Sequence, residues 1–472
     1  MDSKLLLSLS LFSILSYSNL HAEDSFDDDL GGFESEMVED DSMDELDGFL
    51  TEDDDSLDEV IETPKEAPKK HTLSGDLAFK TAVGLHTHKV DGVEYGGINQ
   101  AQISLFLQFD YKISDDWKFR ISGDAFYDSI YDIDSNNNYN DDVIDTYKTQ
   151  FMMQDAYLQG RITSNLDVKI GHQIVVWGKS DSIRITDVIN PLDNRLPGMT
   201  DIEDLRLSVG MIKADYYLGE WNLSAMFIGE NKIMLEAAPR GEFFPIDSIF
   251  PSAPKPFMPL VEPAYNTENL QFAFAANGVF SGWDLSFYLA DVFDSKWHIN
   301  QTTNEREVGK IQMIGSAINI ATGSYLLKSE LAFVNGIKYN STQDEKARFD
   351  ALIGVDYMGI KDTVLSLEVA NRHIFDYENQ MISSDYVEKN EMQTAMRVTR
   401  SFENDTINAS ALLSMFGSSW ENGGFARVWV EYDVMDAVVA NLGVVDYIGG
   451  DKVLFEAIKE NDRIFADISY SF

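Results

Sequence analysis

The stretch "NQAQISLFLQFDYKISDDWKFRISGDAFYD", residues 99–128, decides what kind of chain this is. Read at every second residue, Ala101, Ile103, Leu105, Leu107, Phe109, Tyr111 and Ile113 share one face; Gln102, Ser104, Gln108, Asp110 and Lys112 share the other. After the turn "SDD" (114–116) the alternation resumes, with Trp117, Phe119 and Ile121 opposite Lys118, Arg120, Ser122 and Asp124. A slip of one residue would exchange the two faces entirely, so this pattern specifies a two-faced β-hairpin with a fixed register.

The same period runs to the end of the chain, "RIFADISYSF" (463–472), where Ile464, Ala466, Ile468, Tyr470 and Phe472 alternate with polar residues. Chain ends usually fray; this one finishes inside a strand. Between the two stretches, short turns recur at 114–116, 163–165, 219–220, 281–282, 322–323, 359–362, 403–405 and 435–436. Many are followed or preceded by an aromatic, as in "DDWKF", "GEWNL" and "SGWDL". They alternate with longer polar connections near 87–96, 132–146, 178–202, 233–268, 295–306, 340–345, 376–388, 418–423 and 449–461.

Tight turns on one side, long loops on the other and aromatics at the strand ends are the plan of a transmembrane β-barrel. An open sheet is excluded, because unpaired strand edges cannot lie in lipid. The expected fold is therefore all-β, a transmembrane antiparallel barrel of about eighteen strands over 72–472; sixteen is the alternative if 72–86 and 437–448 are not strands. Its last strand closes on its first. The aromatic carboxyl end, Tyr470 and Phe472, resembles the signal that the outer-membrane assembly machinery reads.

Composition agrees. Asp plus Glu number 80 against 36 Lys plus Arg, a net charge of −44, which excludes the basic face that nucleic-acid binding needs. Twelve per cent of residues are aromatic, yet the mean hydropathy is −0.21, as when only alternate residues meet lipid. There is no cysteine, hence no disulfide, thiolate metal site or lipidated N-terminal Cys.

The start "MDSKLLLSLSLFSILSYSNLHAED" has a lysine, a short apolar run and small residues, and reads as a cleaved signal segment over 1–22, with Ser18 the alternative cleavage point. Residues 23–71 follow as a separate acidic segment: 23–70 hold 21 Asp/Glu against Lys65, Lys69 and Lys70. Such a segment cannot bury enough apolar surface to order itself and is expected to be a disordered periplasmic region. It is either a solvated tail or a tether whose motifs "DDLGGFESE" and "DELDGFLTE" dock on a partner. The location expected for the barrel is the outer membrane, in contact with lipid and lipopolysaccharide.

The block "MQDAYLQGRITSNLDVKIGHQIVVWGKSDSIRITDVINPLDN" (153–194) resembles a family of proteobacterial outer-membrane barrels described only as a domain of unknown function. In that family a strand "G-x-Q-x-v-x-W-G" precedes a loop "d-x-i-N-P-x-D", matched here by Gly171, Gln173, Trp177, Gly178, Asn190, Pro191 and Asp193. His172 and Lys179 depart from it, standing where Arg and Glu are common. The resemblance implies an association with RND/MMPL-type transporters and periplasmic carriers, and so traffic in hydrophobic or amphipathic small molecules.

Alternation turns Lys169, Gln173 and Trp177 towards the lumen and Val168, Ile170, Ile174 and Val176 towards lipid, with Trp177 near the outer rim. The "NPLD" turn then folds inward or over the mouth, or only braces a loop against the wall. Arg120, Arg206, Arg397 and Arg427 are lumen-side too, among acids that include Asp124, Asp155, Glu330, Glu368 and Glu431. Such charges either set an ion-selective field or form a salt-bridged plug.

Loop 233–268 holds seven of the eleven prolines and an apolar set: Phe243, Phe244, Phe250, Phe257 and Met258. Left in water it would be an aggregation hazard, so it must pack. Either it plugs the mouth or it lines a route for an apolar ligand.

In "DIDSNNNYNDD" (132–142), Asp132, Asp134 and Asn136 are spaced as calcium ligands, but the glycine and terminal glutamate of an EF-hand are missing. His86 and His88 alone are too few for a defined metal site. No cofactor is expected. The histidines carry no catalytic spacing and no nucleophile elbow accompanies them, so the chain is not expected to be an enzyme. The leading expectation is a channel for hydrophobic small molecules; the alternatives are a general diffusion porin with a loop constriction and a plugged barrel that docks partners.

Deleting residues 24–66 should leave the barrel folded, because nothing there can pack in a core. Heat-modifiable gel mobility of the truncated protein checks this; its loss would show that the segment belongs to the fold.

Overall fold

The computed structural model describes residues 70–134 and 138–472. The expected signal segment and the acidic segment up to Lys69 lie outside the described residues, as does Asn136. From His71 onward the chain forms one closed antiparallel barrel of 18 strands.

The barrel strands are β1 (His71–Val90), β2 (Val93–Lys112), β3 (Trp117–Asp128), β4 (Thr149–Thr163), β5 (Leu166–Gln173) and β6 (Val209–Leu218). Then come β7 (Trp221–Ile228), β8 (Gln271–Phe280), β9 (Trp283–Asn300), β10 (Glu305–Thr322), β11 (Tyr325–Ile337) and β12 (Lys346–Ile360). The last six are β13 (Thr363–Ile374), β14 (Asn390–Phe402), β15 (Ile407–Phe416), β16 (Gly424–Met435), β17 (Val438–Ile448) and β18 (Arg463–Ser471). Each pairs with the next, and β1 pairs with β18 from Asp76↔Ser471 to Gly84↔Arg463. The ring has no free edge, which is the condition for lying in lipid.

The hairpin of 99–128 takes the register its alternation demands, with Leu105↔Ala125 and Phe109↔Ile121 paired on the outer face. Leu73, Leu77, Phe79, Ile103, Ile121, Phe274, Leu289, Ile353 and Leu442 stay exposed, an apolar belt that only lipid can cover. The eight short turns all lie at one rim, and the two ends of the barrel share it.

Two connections expected as loops are strand. Residues 87–96 continue β1 and β2 to a two-residue turn, where Asp91 (φ 48°) and Gly92 (φ 85°) both take left-handed backbone. That is the geometry a twisted hairpin favours, and "DG" is its sequence sign. Residues 295–306 likewise extend β9 and β10, up to the pair Asn300↔Glu305. Beyond the lipid belt both faces of a strand become polar, so alternation fades while the ladder continues.

The barrel is asymmetric. β5 to β8 have only 8 to 10 residues each, against 18 in β9 and β10. From this low wall leave the two longest connections, 174–208 and 229–270, and both turn inward.

Replacing Tyr470 and Phe472 by Asp should abolish heat-modifiable mobility. Phe472 closes a backbone pair with Gly75 in both directions at 2.9 Å, and the variant loses the aromatic anchors of this rim while adding carboxylates at a cost of up to about 1 kcal/mol each near the interface. Normal barrel assembly of that variant would remove the terminal strand from its sealing role.

Candidate functional site: an inward-folded loop across the lumen

At Gln173 the chain leaves the wall. Segment 174–177 keeps its alternation for one more turn: Val175 and Trp177 are buried against the inner wall, and Val176 between them is 62 % exposed. Trp177 does not sit at the outer rim as alternation suggested. It lies deep in the lumen, its ring 4.7 Å from that of Tyr288, five residues above the tight turn that starts β9. The cause is the shortness of β5: the chain turns inward instead of climbing.

Next comes Gly178, whose φ is +90° and whose amide donates to the Tyr288 hydroxyl at 3.2 Å. A Cβ here would stand 2.7 Å from the Glu330 carboxylate, so only glycine fits after Trp177. Glu330, from β11, accepts the amides of Lys179 (2.6 Å), Ser180 (2.8 Å) and Thr186 (3.2 Å) and the Thr186 hydroxyl (2.8 Å). Glu368, from β13, accepts the amides of Asp181 (2.8 Å) and Ser182 (3.1 Å) and the Ser180 hydroxyl (2.7 Å). Both carboxylates are 1 % exposed. Their charge is dispersed over converging backbone dipoles, the way a nest of amides holds an anion. Lys328 of β11 completes the seat, paired with Asp181 of the loop and with Asp356 of β12 at 2.7 Å.

The returning half of the loop is locked by Asn190. Its side chain accepts from the Val175 amide (2.8 Å) and donates to the carbonyls of Leu207 (2.7 Å) and Gln173 (3.3 Å), tying exit to return. The Pro191 carbonyl accepts the Leu207 amide at 2.8 Å. Asp193 takes the Arg195 guanidinium and pairs in parallel register with Leu235 of the second loop. Arg206 is 6 % exposed and reaches Asp187 at 2.8 Å, where Arg184 also binds at 3.2 Å. Further on, Asp201 is held between Arg397 of β14 (2.9 Å) and Arg427 of β16, which lies 3.8 Å over the Trp429 ring. The loop therefore runs from β5 to the opposite wall and back.

Its apolar side chains decide where it lies. Val175, Trp177, Ile183, Ile185 and Ile189 form one cluster with the inward residues of β6 to β14, among them Met211, Met226, Val292, Met313, Val334 and Leu352. An apolar inner wall is unusual, since barrel interiors are normally polar. The other arc of the lumen is polar: Arg120 pairs with Asp110 at 2.7 Å, both 32 % exposed, and Asn441 bonds Asp467 at 3.1 Å. Lys169 sits 3.7 Å over the Tyr157 ring, and Gln173 is fully buried at the foot of the loop. Asn190, Pro191, Asp193 and Arg206 thus meet at the loop, Arg397 and Arg427 meet at Asp201, and Arg120 belongs to the open arc.

The second loop, 229–270, spans the mouth from β7 and β8 to the far side. Phe243 is 1 % exposed and packs edge-on against Tyr447 of β17 at 5.7 Å. Glu242 forms a two-pronged pair with Arg463 of β18 at 2.9 and 3.2 Å. Phe244 and Phe257 meet edge-on at 6.0 Å, Phe257 also touches Trp297, and Phe250 faces Tyr386. Met258 is buried, its carbonyl accepting from Arg306 at 2.8 Å. Glu236 takes the Trp297 indole N–H, and burial pushes its carboxyl above the usual range. The loop reaches the "NPLD" turn through Leu235 but not the deep-lying Trp177.

Asp132 of the calcium candidate is already bound by Lys148 at 2.6 Å and by Tyr127, and Asp134 accepts from Tyr139 at 3.2 Å. Sequence reasoning placed Glu330 and Glu368 in the lumen without their task. It missed Asp181, Asp187, Asp201, Tyr288 and the Glu242–Arg463 pair. The inward parity of Tyr288 was readable; the loop partners had no local sign.

Residues 93–472 match the family described as "Protein of unknown function (DUF1302)". The chain belongs to that family. No curated protein matches it by sequence. Among solved structures, Acinetobacter baumannii OccAB3 is similar at a TM-score of 0.53 and 8 % identity, over 85 % of this chain and 99 % of that one. Acinetobacter baumannii OccAB1 is similar at a TM-score of 0.50 and 11 % identity, over 85 % and 96 %. At such identities the likeness is one of fold: a porin-type outer-membrane barrel.

Glu330→Ala should release the loop tip, since several buried donors lose their acceptor at a combined cost of about 3–5 kcal/mol. Limited trypsin digestion after Lys179 and Arg184 should be fast in the variant and absent in the parent. Gly178→Ala should act alike through the clash with the same carboxylate.

Proposed function

We propose that this DUF1302 protein is an outer-membrane channel for hydrophobic or amphipathic small molecules, gated by the inward loop 174–208. The carrying observation is the apolar inner wall of β6 to β14, which the loop covers with its own apolar side chains. A wide aqueous pore gains nothing from such a wall; a route for apolar cargo needs a lining that binds it once the loop yields. The aromatic-rich loop 229–270 at the mouth supplies a second apolar surface on the same path.

The docking seat suits a gate. Five loop amides on two wall carboxylates form one cooperative contact that is either made or lost as a unit. The polar arc beside it, with Arg120, Asp110 and Asp467, favours a second reading, a narrow water-filled passage for ions or small polar solutes. The RND/MMPL-type transporter or periplasmic carrier implied by the family resemblance is the partner we assign to the channel, with the acidic 23–71 segment as the tether facing it. The outer membrane is its location, and no enzymatic step enters this reading.

Replacing 233–268 by a short Gly/Ser linker should leave the eighteen-strand ladder intact, losing only the short parallel pairing of Leu260 and Val261 with Arg306 and Glu307, and should enlarge single-channel conductance in planar bilayers and abolish selective entry of phenylnaphthylamine into cells. Unchanged conductance with unchanged dye entry would reduce that loop to surface decoration and remove the support for apolar cargo.

A further inference from the structure

Above the apolar inner wall stand cations that the two inward loops leave without a carboxylate. On β12 and β13, Arg348 and Arg372 lie farther from the tight turns than the apolar-cluster members Leu352 and Ala370 of the same face. Lys296 stands likewise beyond Val292 on β9, and Glu391 beyond Ala395 on β14. Arg348 forms a two-pronged pair with Asp350 at 2.7 and 2.8 Å, and Lys452 pairs with Glu391 at 3.0 Å. Arg372 is placed differently. Among the described residues it donates only to neutral oxygens, the Gln393 side chain at 3.1 Å and the Arg184 carbonyl at 3.2 Å, which leaves the rest of its fork free. The Lys296 ammonium has no hydrogen bond or ion pair among the described residues; its backbone amide, not its side chain, bonds Asp294 at 3.0 Å.

These groups lie where both loops reach the wall. Arg184 belongs to loop 174–208, and the Met234 amide of loop 229–270 donates to the Ser295 carbonyl, next to Lys296, at 3.4 Å. Lys296 stands in the field of Arg348, Arg372, Asp294 and Glu391. Three strands separate β9 from β13, so that field acts across the lumen. Lys296, Arg348, Arg372 and Lys452 face Asp294, Asp350 and Glu391, which leaves one positive charge in excess. Cations gathered in a partly enclosed space repel one another until an anion joins them. Directly beneath lies the apolar tier of Val292, Leu352, Ala370 and Ala395, with Ile183 and Ile185 of the loop against it.

We propose that Lys296 and Arg372 form a headgroup site for an amphipathic organic monoanion, a carboxylate whose apolar body lies along the wall beneath them. The free fork of Arg372 matches the two oxygens of a carboxylate, and the Lys296 ammonium adds a mobile point charge from the opposite side. An excess of one positive charge suits a single carboxylate rather than a dianionic phosphate. A neutral cargo would leave both cations unanswered, and a wholly polar anion would gain nothing from Val292, Leu352 and Ala370. This rests on the apolar-channel reading above and narrows its cargo to acids with an apolar body.

Titration calorimetry on the purified full chain in a nonionic detergent, with the detergent-only heat subtracted, tests this using phenylbutyrate, its neutral counterpart phenylbutanol, and acetate. The acid is expected to bind about tenfold tighter than the alcohol, the effect of one contact to a charged group, and acetate far more weakly than either. Lys296→Gln, which breaks no side-chain contact, should remove most of that preference. Lys296→Gln/Arg372→Gln should remove all of it, with alcohol binding unchanged and heat-modifiable mobility retained. Equal affinity for acid and alcohol in the parent would overturn the headgroup site, and so would acetate binding as tightly as the acid. A preference that survives in the double variant overturns it too; if Arg372→Gln disturbs the loop, an unchanged preference in Lys296→Gln alone does so. Alcohol binding without a preference for the acid refutes the headgroup site and leaves the apolar channel standing, whereas binding of neither compound counts against both.

Discussion

Hydrocarbon offers backbone amides no partner, and everything in this protein follows from meeting that constraint. Eighteen strands satisfy it by closing β18 on β1. Where the wall falls short, at β5 to β8, the chain satisfies it differently: side chains take over from ladders. Asn190 ties the two ends of the inward loop, Glu330 and Glu368 collect its amides, and Ser208 covers the bare edge of β4. These are the places where the barrel departs from regularity, and they are also where its candidate chemistry lies.

The wall was readable from alternation and turns because both are local. Period two names the lipid face of each strand, and a short polar turn followed by Trp or Tyr names its end. The reading failed where local signals stop: residues 87–96 and 295–306 rise above the lipid, lose their apolar face, and pass for loops although their ladder continues. The "DG" at 91–92 was the one local sign that corrected the first of these.

The candidate site was legible by composition but not by arrangement. Loop 233–268 announced that it must pack, and "W-G" and "N-P-x-D" marked the inward turn. What those residues touch lies far away along the chain: Glu330 binds amides 144 to 151 residues earlier, and Asp201 meets Arg427 across 226. Two buried glutamates on strands look like any lumen acid until the loop that answers them is in place. The apolar inner wall was likewise hidden, because Ala273, Ala275, Ala332 and Ala370 do not stand out as apolar among polar neighbours.

The Glu242–Arg463 pair has a mechanical meaning. A ring of eighteen strands resists stretching through its ladders but flattens easily into an ellipse, since that only bends hydrogen bonds. Loop 229–270, rooted between β7 and β8 and pinned to β18 half a circumference away, is a chord across that ring. Loop 174–208, rooted at β5 and β6 and seated on β11 to β16, is a second. Such chords fix two diameters, so the cross-section keeps its shape. The first chord also depends on chain order: residues 242 and 463 can join only once β18, the last strand, is present.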